Sequence, residues 1–267
     1  MRRPGRIWGF VLAALLLAAC QPAAGDDGAF GVKVRAYLLA HPEVIQEAAQ
    51  RLQARMAAQD AAAQRRAVAD LPKFRAALER DPRDFVANPG GNITLTEFYD
   101  YRCPHCINAA PKVLALIGRE SDVRVVFKEM PIFGPTSEHA ARAAIAVKKA
   151  GGDYLRVYAA FMAAHPLDDE TIDRIARAAG AKGADLEETP AADAQIAAVT
   201  RLFNALALEG TPAFIVGDTI VPGEDMDAVE AAVARARGAQ AGARTAARQS
   251  SSPRPQRPPS HEQPRPS

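Results

Sequence analysis

The sequence predicts an α/β fold built on a parallel strand–helix–strand unit, with a block of helices before the last two strands and a helical segment ahead of the sheet. Residues 93–99 alternate and are β-branched or aromatic, which predicts a strand. Residues 123–127 are almost continuously apolar, which predicts a second strand buried on both faces. The helical pattern of residues 104–119 joins the two, and a crossover of that length makes them parallel.

The first 20 residues have the pattern of an export signal. A basic start precedes an apolar run from Ile7 to Ala19, which is too short to span a bilayer comfortably as a mature helix. The run ends in Leu-Ala-Ala-Cys, which resembles the bacterial lipobox, so we expect Cys20 to be lipidated. Cleavage after Gly25 is the alternative, and a twin-arginine signal is another.

These features predict a periplasmic protein anchored to a membrane as a lipoprotein. Gln21 stands where inner-membrane lipoproteins commonly carry Asp, which favours the outer membrane. We expect residues 21–29 to form a short linker.

Residues 30–82 are predicted to be a helical segment, in which Pro42 separates a short first helix from a longer second helix. The second helix is rich in Ala, Gln and Arg and has a narrow apolar stripe, so it cannot bury itself in a compact core. We expect it to pack against another copy of the chain, through residues 30–80, or along the main domain. A solvated linker helix is the alternative.

The main domain is predicted over residues 90–237, after Pro, Gly and Asn residues at 81–92 that indicate a boundary. Its later part divides by pattern into a helical block, two short strands that flank a Gly217-Asp218 turn, and a last helix. The ranges are about 137–209 for the block, 213–216 and 219–221 for the strands, and about 224–237 for the helix.

The C-terminal residues 238–267 are predicted to be a disordered tail, because they consist mainly of Ala, Gly, Ser, Arg and Pro. The formal net charge of the whole chain is +2, but the first 19 residues and this tail both carry an excess of arginine. The residues between these two segments are therefore mildly acidic. A nucleic-acid-binding body would present a basic face, so we expect no nucleic-acid partner.

The chain has three cysteines, and Cys103 and Cys106 form one close pair once Cys20 is assigned to lipid. A disulfide across so short a loop removes little entropy from the unfolded chain, so it is a poor structural staple. The pair therefore indicates redox chemistry.

The position of Cys103 predicts an acidic thiol. It lies where a strand ends and a helix begins, and the free backbone N–H groups and the helix dipole there favour a thiolate. Pro104 suits the first helical turn, and His105 adds a positive or hydrogen-bonding neighbour. Cys106 lies one turn further in and is expected to be more buried, placed to attack a mixed disulfide at Cys103.

The segment EFYDYRCPHC at residues 97–106 resembles the active-site segment of DsbA-like periplasmic disulfide oxidoreductases. VFKEMPI at 126–132 is similar to the second strand of that family, and the block at 137–209 resembles its inserted helical domain. YLLAHPEVI at 37–45 is similar to the oligomerisation segment of the ScsC-like and Com1-like branch. The resemblance covers residues 30–237 and implies a thioredoxin-like fold with an inserted helical domain.

The resemblance also implies roles for individual residues. Cys103 is expected to be the nucleophile and Cys106 the resolving thiol. Pro212 is expected to be a cis proline that faces the disulfide, and Thr211 before it is expected to contact substrate.

The resemblance further implies that Glu97 is a buried acid that accepts a thiol proton and that Lys128 pairs with it. Strand alternation places Glu97 with Leu95 and Tyr99 on one face. A solvent-facing position for Glu97 is the alternative.

We expect no metal and no cofactor beyond the redox-active disulfide Cys103–Cys106. Zinc held by His105 and the two cysteines is the alternative, but structural zinc usually needs four convergent ligands. The remaining histidines are scattered singly along the chain.

Three functions follow from these observations. The first is an oxidase, because a stabilised Cys103 thiolate stabilises the reduced form and makes the disulfide more oxidising. Its partners are exported proteins with cysteines and a membrane redox partner that resets the pair. The second is an oligomeric isomerase or reductase with the same site, because Thr211 replaces the hydrophobic residue usual in the family's strong oxidases. The third is a non-enzymatic surface lipoprotein.

Overall fold

The structure is a computed structural model that describes residues 27–186 and 189–250. The predicted signal, Cys20 and residues 251–267 lie outside this range. The chain divides into two compact units, Met1–Ala62 and Ala63–Ser267. No helix in the described part of the chain has the length and apolar character needed to cross a membrane.

The first unit contains helix α1, Asp27–Ala40, and the beginning of helix α2, Glu43–Glu79. The break falls at Pro42, as predicted. Helix α1 begins within the range expected to be a linker. Eight large apolar side chains in the described part of this unit are exposed: Phe30, Val32, Val34, Tyr37, Leu39, Ile45, Leu52 and Met56.

The second unit is built on a five-stranded sheet of order β1-β3-β2-β4-β5. Strands β2 and β3 are parallel and are joined by helix α3, whereas the other neighbours are antiparallel. This topology is the predicted α/β, thioredoxin-like fold. The bounds are Phe85–Ala87 for β1, Ile93–Tyr99 for β2, Pro104–Arg119 for α3, Val123–Glu129 for β3, Ala213–Val216 for β4 and Thr219–Pro222 for β5.

Strand β1 was not predicted, and it lies before residue 90, where the main domain was expected to begin. Its three residues pair with residues 125–127 of β3. Pro82 and Pro89 flank the strand closely, so it is too short to show an alternating pattern.

The helical block between β3 and β4 contains the helices predicted by pattern. Three of them are capped at the N-terminus by side chains that accept backbone N–H bonds: Asp153, Asp168 and Thr189. Gly152 meets the backbone of Ala179 so closely that a Cβ there would lie 2.1 Å from the carbonyl oxygen. The bounds are Pro135–Lys149 for α4, Tyr154–Ala163 for α5, Asp169–Ala178 for α6, Gly183–Leu186 for α7 and Pro190–Ala205 for α8.

The last helix, α9, spans Met226–Ser250, so the prediction of a disordered tail is wrong for residues 238–250. These residues are mostly good helix formers, and each of the two glycines among them costs only about 1 kcal/mol relative to Ala. Near its middle the helix is attached to the domain. Arg237 pairs with Glu120 and Asp122, and Gln240 donates to the carbonyl of Asn92 over 2.7 Å.

The sheet separates two apolar cores. One face carries Leu95 and Tyr99 and packs with α3, α5 and α9. The other face carries Phe98 and packs against the end of α2 and against α8. Because side chains alternate along a strand, successive residues of β2 and β3 lie on opposite faces of the sheet. This separation decides which side chains surround the cysteines.

Candidate active site

Cys103 is the N-cap residue of α3, and Pro104 opens the helix as predicted. The Cys103 thiol donates a hydrogen bond of 3.1 Å to the carbonyl oxygen of Thr211. The Thr211-Pro212 peptide bond is cis. The structure therefore brings the C-P-H-C segment and the Thr-Pro loop together at one place.

The two cysteines of the pair are free thiols, and both are enclosed. Cys103 is 2% exposed and Cys106 is fully buried, so the expected difference in burial between them is small. The hydroxyl oxygen of Thr211 is also buried and has no hydrogen-bond partner in the structure.

The surroundings push the pKa values of the two thiols in opposite directions. The pKa of Cys103 is lowered to about 5, chiefly because the Cys106 thiol donates a hydrogen bond to the Cys103 thiolate. Thr211 and the backbone N–H groups of Cys106 and His105 add to this effect, while burial opposes it. The pKa of Cys106 is raised, first by burial and then by the same bond to Cys103. One sulfur of the pair ionises easily and the other keeps its proton.

His105 acts on Cys103 through its backbone rather than through its ring. The imidazole is largely exposed, and its Nδ1 lies 3.3 Å from Oε1 of Glu224. Glu224 was not identified from the sequence. It follows Gly223, whose N–H donates to the carbonyl of Pro212, so it belongs to the same loop cluster.

Glu97 lies on the face that sequence alternation indicates, with Leu95 and Tyr99, and is fully buried. The hydroxyl of Tyr158 donates to its carboxylate, 3.1 Å from Oε1 and 3.4 Å from Oε2. Burial raises the pKa of Glu97 to about 8, although the bond from Tyr158 acts to lower it.

The expected pair between Lys128 and Glu97 is wrong. Lys128 is buried on the opposite face, where its Nζ bonds to Asp84 and, over 2.6 Å, to the carbonyl of Ala77. The reason is the register of the two strands. Glu97 lies beside Phe127, and Phe98 lies beside Lys128, so alternation directs the acid and the lysine to different cores.

Two further groups near the site were missed. Glu129 ends β3 on the same face as Glu97, is buried, and accepts a hydrogen bond from Tyr154. Burial raises the pKa of Glu129 to about 7. The alternation of VFKE could have indicated this position. Asp100 is also buried and accepts four hydrogen bonds, which a single sequence does not reveal.

Within the described residues, no group of three or more His, Cys, Asp or Glu side chains is placed to hold a metal ion.

Comparisons with known proteins agree with this description. Residues 94–234 match the model of the DSBA-like thioredoxin domain, and residues 28–59 match the copper resistance protein ScsC N-terminal domain. Among proteins with curated annotation, no sequence is similar enough to count as a match.

Solved structures of thioredoxin-like proteins are similar to the chain. One is a thioredoxin-like oxidoreductase from Silicibacter pomeroyi, with 38% identity, a TM-score of 0.58, and coverage of 61% of this chain and 98% of that one. Another is ScsC of Proteus mirabilis in a transitional conformation, with 27% identity, a TM-score of 0.58, and coverage of 80% and 98%. A third is a periplasmic thioredoxin-like protein from Salmonella enterica serovar Typhimurium, with 28% identity, a TM-score of 0.56, and coverage of 61% and 95%.

The domain match covers more than half of the chain and includes both cysteines and the Thr-Pro loop. The chain therefore belongs to the DsbA-like family of thiol–disulfide oxidoreductases and carries an ScsC-type N-terminal domain.

Proposed function

We propose that Cys103 and Cys106 are the redox pair of this oxidoreductase and that it works mainly as an oxidase of exported proteins. The observation that carries the proposal is the contrast between the two thiols, one with its pKa lowered to about 5 and the other with its pKa raised. A Cys103 thiolate that is stable near neutral pH is a good leaving group and stabilises the reduced enzyme.

The proposed cycle moves two electrons from substrate to enzyme. A substrate thiolate attacks Cys103 in the Cys103–Cys106 disulfide, and Cys106 leaves and takes up a proton. A second substrate thiolate then attacks the substrate sulfur of the mixed disulfide, which forms the substrate disulfide and releases Cys103 as a thiolate. A membrane redox partner accepts the two electrons and restores the enzyme disulfide.

The residues around the pair support this cycle. The Thr211 carbonyl oxygen accepts a hydrogen bond from Cys103, and Thr211 with the cis Pro212 is proposed to hold the substrate segment. Glu97 is proposed to exchange a proton with Cys106, because it is a buried acid with a pKa near the working range. Lys128 lies on the other side of the sheet and has no proposed part in the chemistry.

The proposed location is the periplasm, with the mature chain anchored through lipid at Cys20 and directed to the outer membrane. The basic start, the short apolar run and the lipobox-like end support it. Radiolabelled fatty acid should enter the wild-type protein and should not enter a Cys20→Ala variant.

The oxidase proposal is tested by the reduction potential of the purified chain in glutathione buffers, together with the rate at which it oxidises a reduced, unfolded substrate. We expect a potential well above that of a structural disulfide, and no oxidation by Cys103→Ser. A strongly reducing potential with no oxidation of substrate would contradict the proposal.

A second candidate is an oligomeric isomerase or reductase with the same site. The observation that favours it is the set of exposed apolar side chains on α1 and the first part of α2, for which a second copy of this chain is the proposed occupant. Light scattering on the full chain should then give more than one chain per particle. Leu39→Glu should dissociate it, whereas Gln46→Glu, a change at an exposed polar position, should not.

Activity on scrambled substrate separates the two candidates. An isomerase restores native disulfides in a scrambled substrate and loses this activity when Leu39→Glu dissociates it. A monomer that only oxidises reduced substrate contradicts the isomerase.

A further inference from the structure

Disulfide exchange at this site poses a problem for the proton on Cys106. To resolve a mixed disulfide at Cys103, Cys106 must become a thiolate, yet burial raises its pKa. In the reduced enzyme its thiol bonds to the Cys103 sulfur, but in a mixed disulfide that sulfur carries no negative charge. The proton must therefore pass to another group in the buried surroundings of Cys106.

Tyr158 connects the helical block to the acid that can take this proton. It lies on α5, is fully buried, and donates its hydroxyl to both oxygens of Glu97. Its ring is fixed by edge-to-face contacts with Tyr99 and Phe127, at 5.2 and 5.0 Å between centroids. Cys106 belongs to the same core cluster as Tyr158. The hydroxyl therefore contacts the acid inside the core that also contains the resolving thiol.

We propose that Tyr158 is a positioning residue whose hydroxyl stabilises the ionised form of Glu97, which accepts the Cys106 proton. A hydrogen bond donated to a carboxylate favours its charged form, and the buried site offers Glu97 little other support. This inference deepens the proposed function and rests on it.

The proton of the Cys106 thiol passes to the Glu97 carboxylate, and the Cys106 thiolate attacks the sulfur of Cys103. The bond between Cys103 and the substrate sulfur breaks, and its electron pair leaves on the substrate as a thiolate. In the oxidising direction the same route returns the proton from Glu97 to Cys106.

Several titratable groups surround Glu97, and most of them stay uncharged near neutral pH. Burial raises the pKa values of Tyr99 and Tyr101 well above their usual range. Glu129 lies on the same face of the neighbouring strand and also titrates near neutrality, with its pKa raised to about 7. Lys128, the nearest cation along the strands, is on the other face. The bond from Tyr158 is therefore the main contact that favours the charged form of Glu97.

The chain offers a matched control for Tyr158 on the same helix. Tyr154 lies one turn earlier, is equally buried, and donates its hydroxyl to Glu129. Tyr154→Phe and Tyr158→Phe each remove one buried hydroxyl from a carboxylate and keep the ring. Only the second change affects Glu97 directly.

The test uses the full chain with Cys20→Ser, so that only Cys103 and Cys106 react with Ellman's reagent. The first coloured thiolate reports attack by Cys103, and the second reports resolution by Cys106. Rates of the second release are measured by stopped flow across pH values on both sides of the Glu97 pKa of about 8.

We expect Tyr158→Phe to slow the second release roughly 10-fold or more at neutral pH and to move its inflection to higher pH, since Glu97 loses the bond that lowers its pKa. The first release should not change. Tyr154→Phe should leave the inflection where it is. Equal effects of the two variants, or an unchanged inflection in Tyr158→Phe, would overturn the proposal.

A second variant keeps the proposal testable if Tyr158→Phe does not fold. Glu97→Gln retains a partner for Tyr158 but removes the proton acceptor, so it should abolish the inflection near pH 8. An inflection that persists in Glu97→Gln would also overturn the proposal. If the unsubstituted site gives no second release at all, the proposed function itself fails. If the unsubstituted protein gives a normal second release and Tyr158→Phe gives the same second release as the control Tyr154→Phe, only the inference about Tyr158 fails.

Discussion

The Asp100 carboxylate accepts a hydrogen bond of 2.9 Å from the hydroxyl of Ser137, which joins the loop before Cys103 to the first turn of α4. The same carboxylate accepts backbone N–H bonds from Arg102, Ile132 and Phe133, at 2.7, 2.6 and 3.0 Å. Asp100 is 2% exposed. A single buried side chain therefore fixes the active-site loop to the next loop and to the helical block.

Replacing Asp100 by Ala should destabilise the protein strongly, because four donors lose their shared acceptor. We expect a loss on the order of 3 kcal/mol in the free energy of unfolding, measured with urea. Asp168→Ala is the control, because Asp168 caps an exposed helix end, where the expected loss is about 1 kcal/mol. Equal losses in the two variants would show that the Asp100 contacts contribute little.

The ionisation of Cys103 should depend on Cys106. In the reduced protein, the ultraviolet absorbance of the thiolate should titrate with a midpoint near pH 5. In Cys106→Ala the midpoint should rise, because the largest stabilising hydrogen bond is lost. His105→Ala retains the backbone N–H and should shift the midpoint less. A larger shift in His105→Ala would indicate that the imidazole governs the thiolate.

Glu97 should cost stability as the pH rises. Its folded pKa is raised from 4.5 to about 8, so the folded state binds the proton more tightly than the unfolded chain does. This loss in the free energy of unfolding is absent below about pH 4.5, grows between about pH 4.5 and pH 8, and is complete above about pH 8. Glu97→Gln should therefore be more stable than wild type at alkaline pH, by about 5 kcal/mol, and similar to it in acid. Exposed Glu230→Gln should show no such trend.

Lys128 should matter for stability and not for exchange. Lys128→Met leaves Asp84 buried without its cation and should cost about 3 to 5 kcal/mol. The double variant Lys128→Met/Asp84→Leu should recover much of that loss. Rates of thiol–disulfide exchange should remain close to wild type in the double variant, because the pair lies on the face opposite Cys106. Loss of exchange in a stable double variant would contradict this separation.

The sequence predicted the elements whose patterns are local. Strand alternation gave β2 and the buried face of Glu97, and the helix after Cys103 followed from Pro104 and the apolar spacing of residues 104–119. The cis bond before Pro212 came from the resemblance to the family, since nothing local to Thr211 and Pro212 indicates it.

The predictions that failed depend on contacts between distant residues. The partner of Lys128 is Asp84, which immediately precedes β1 and comes beside β3 because β1 pairs with that strand. Three residues are too few to reveal β1 by pattern. Helix α9 is joined to the domain by Arg237 and Gln240, and these contacts with distant residues are not visible in the composition of the tail.

The alignment of β2 with β3 has a consequence for how this enzyme tolerates change. If β2 slipped by one residue against β3, Glu97 and Phe98 would exchange faces of the sheet. The Glu97 carboxylate would then lie on the face of Lys128, and the phenyl ring of Phe98 would lie on the face of the cysteines. Such a molecule would retain its amino acids and much of its hydrophobic content while losing its proton acceptor. Insertions or deletions within these strands should consequently abolish catalysis even where folding survives.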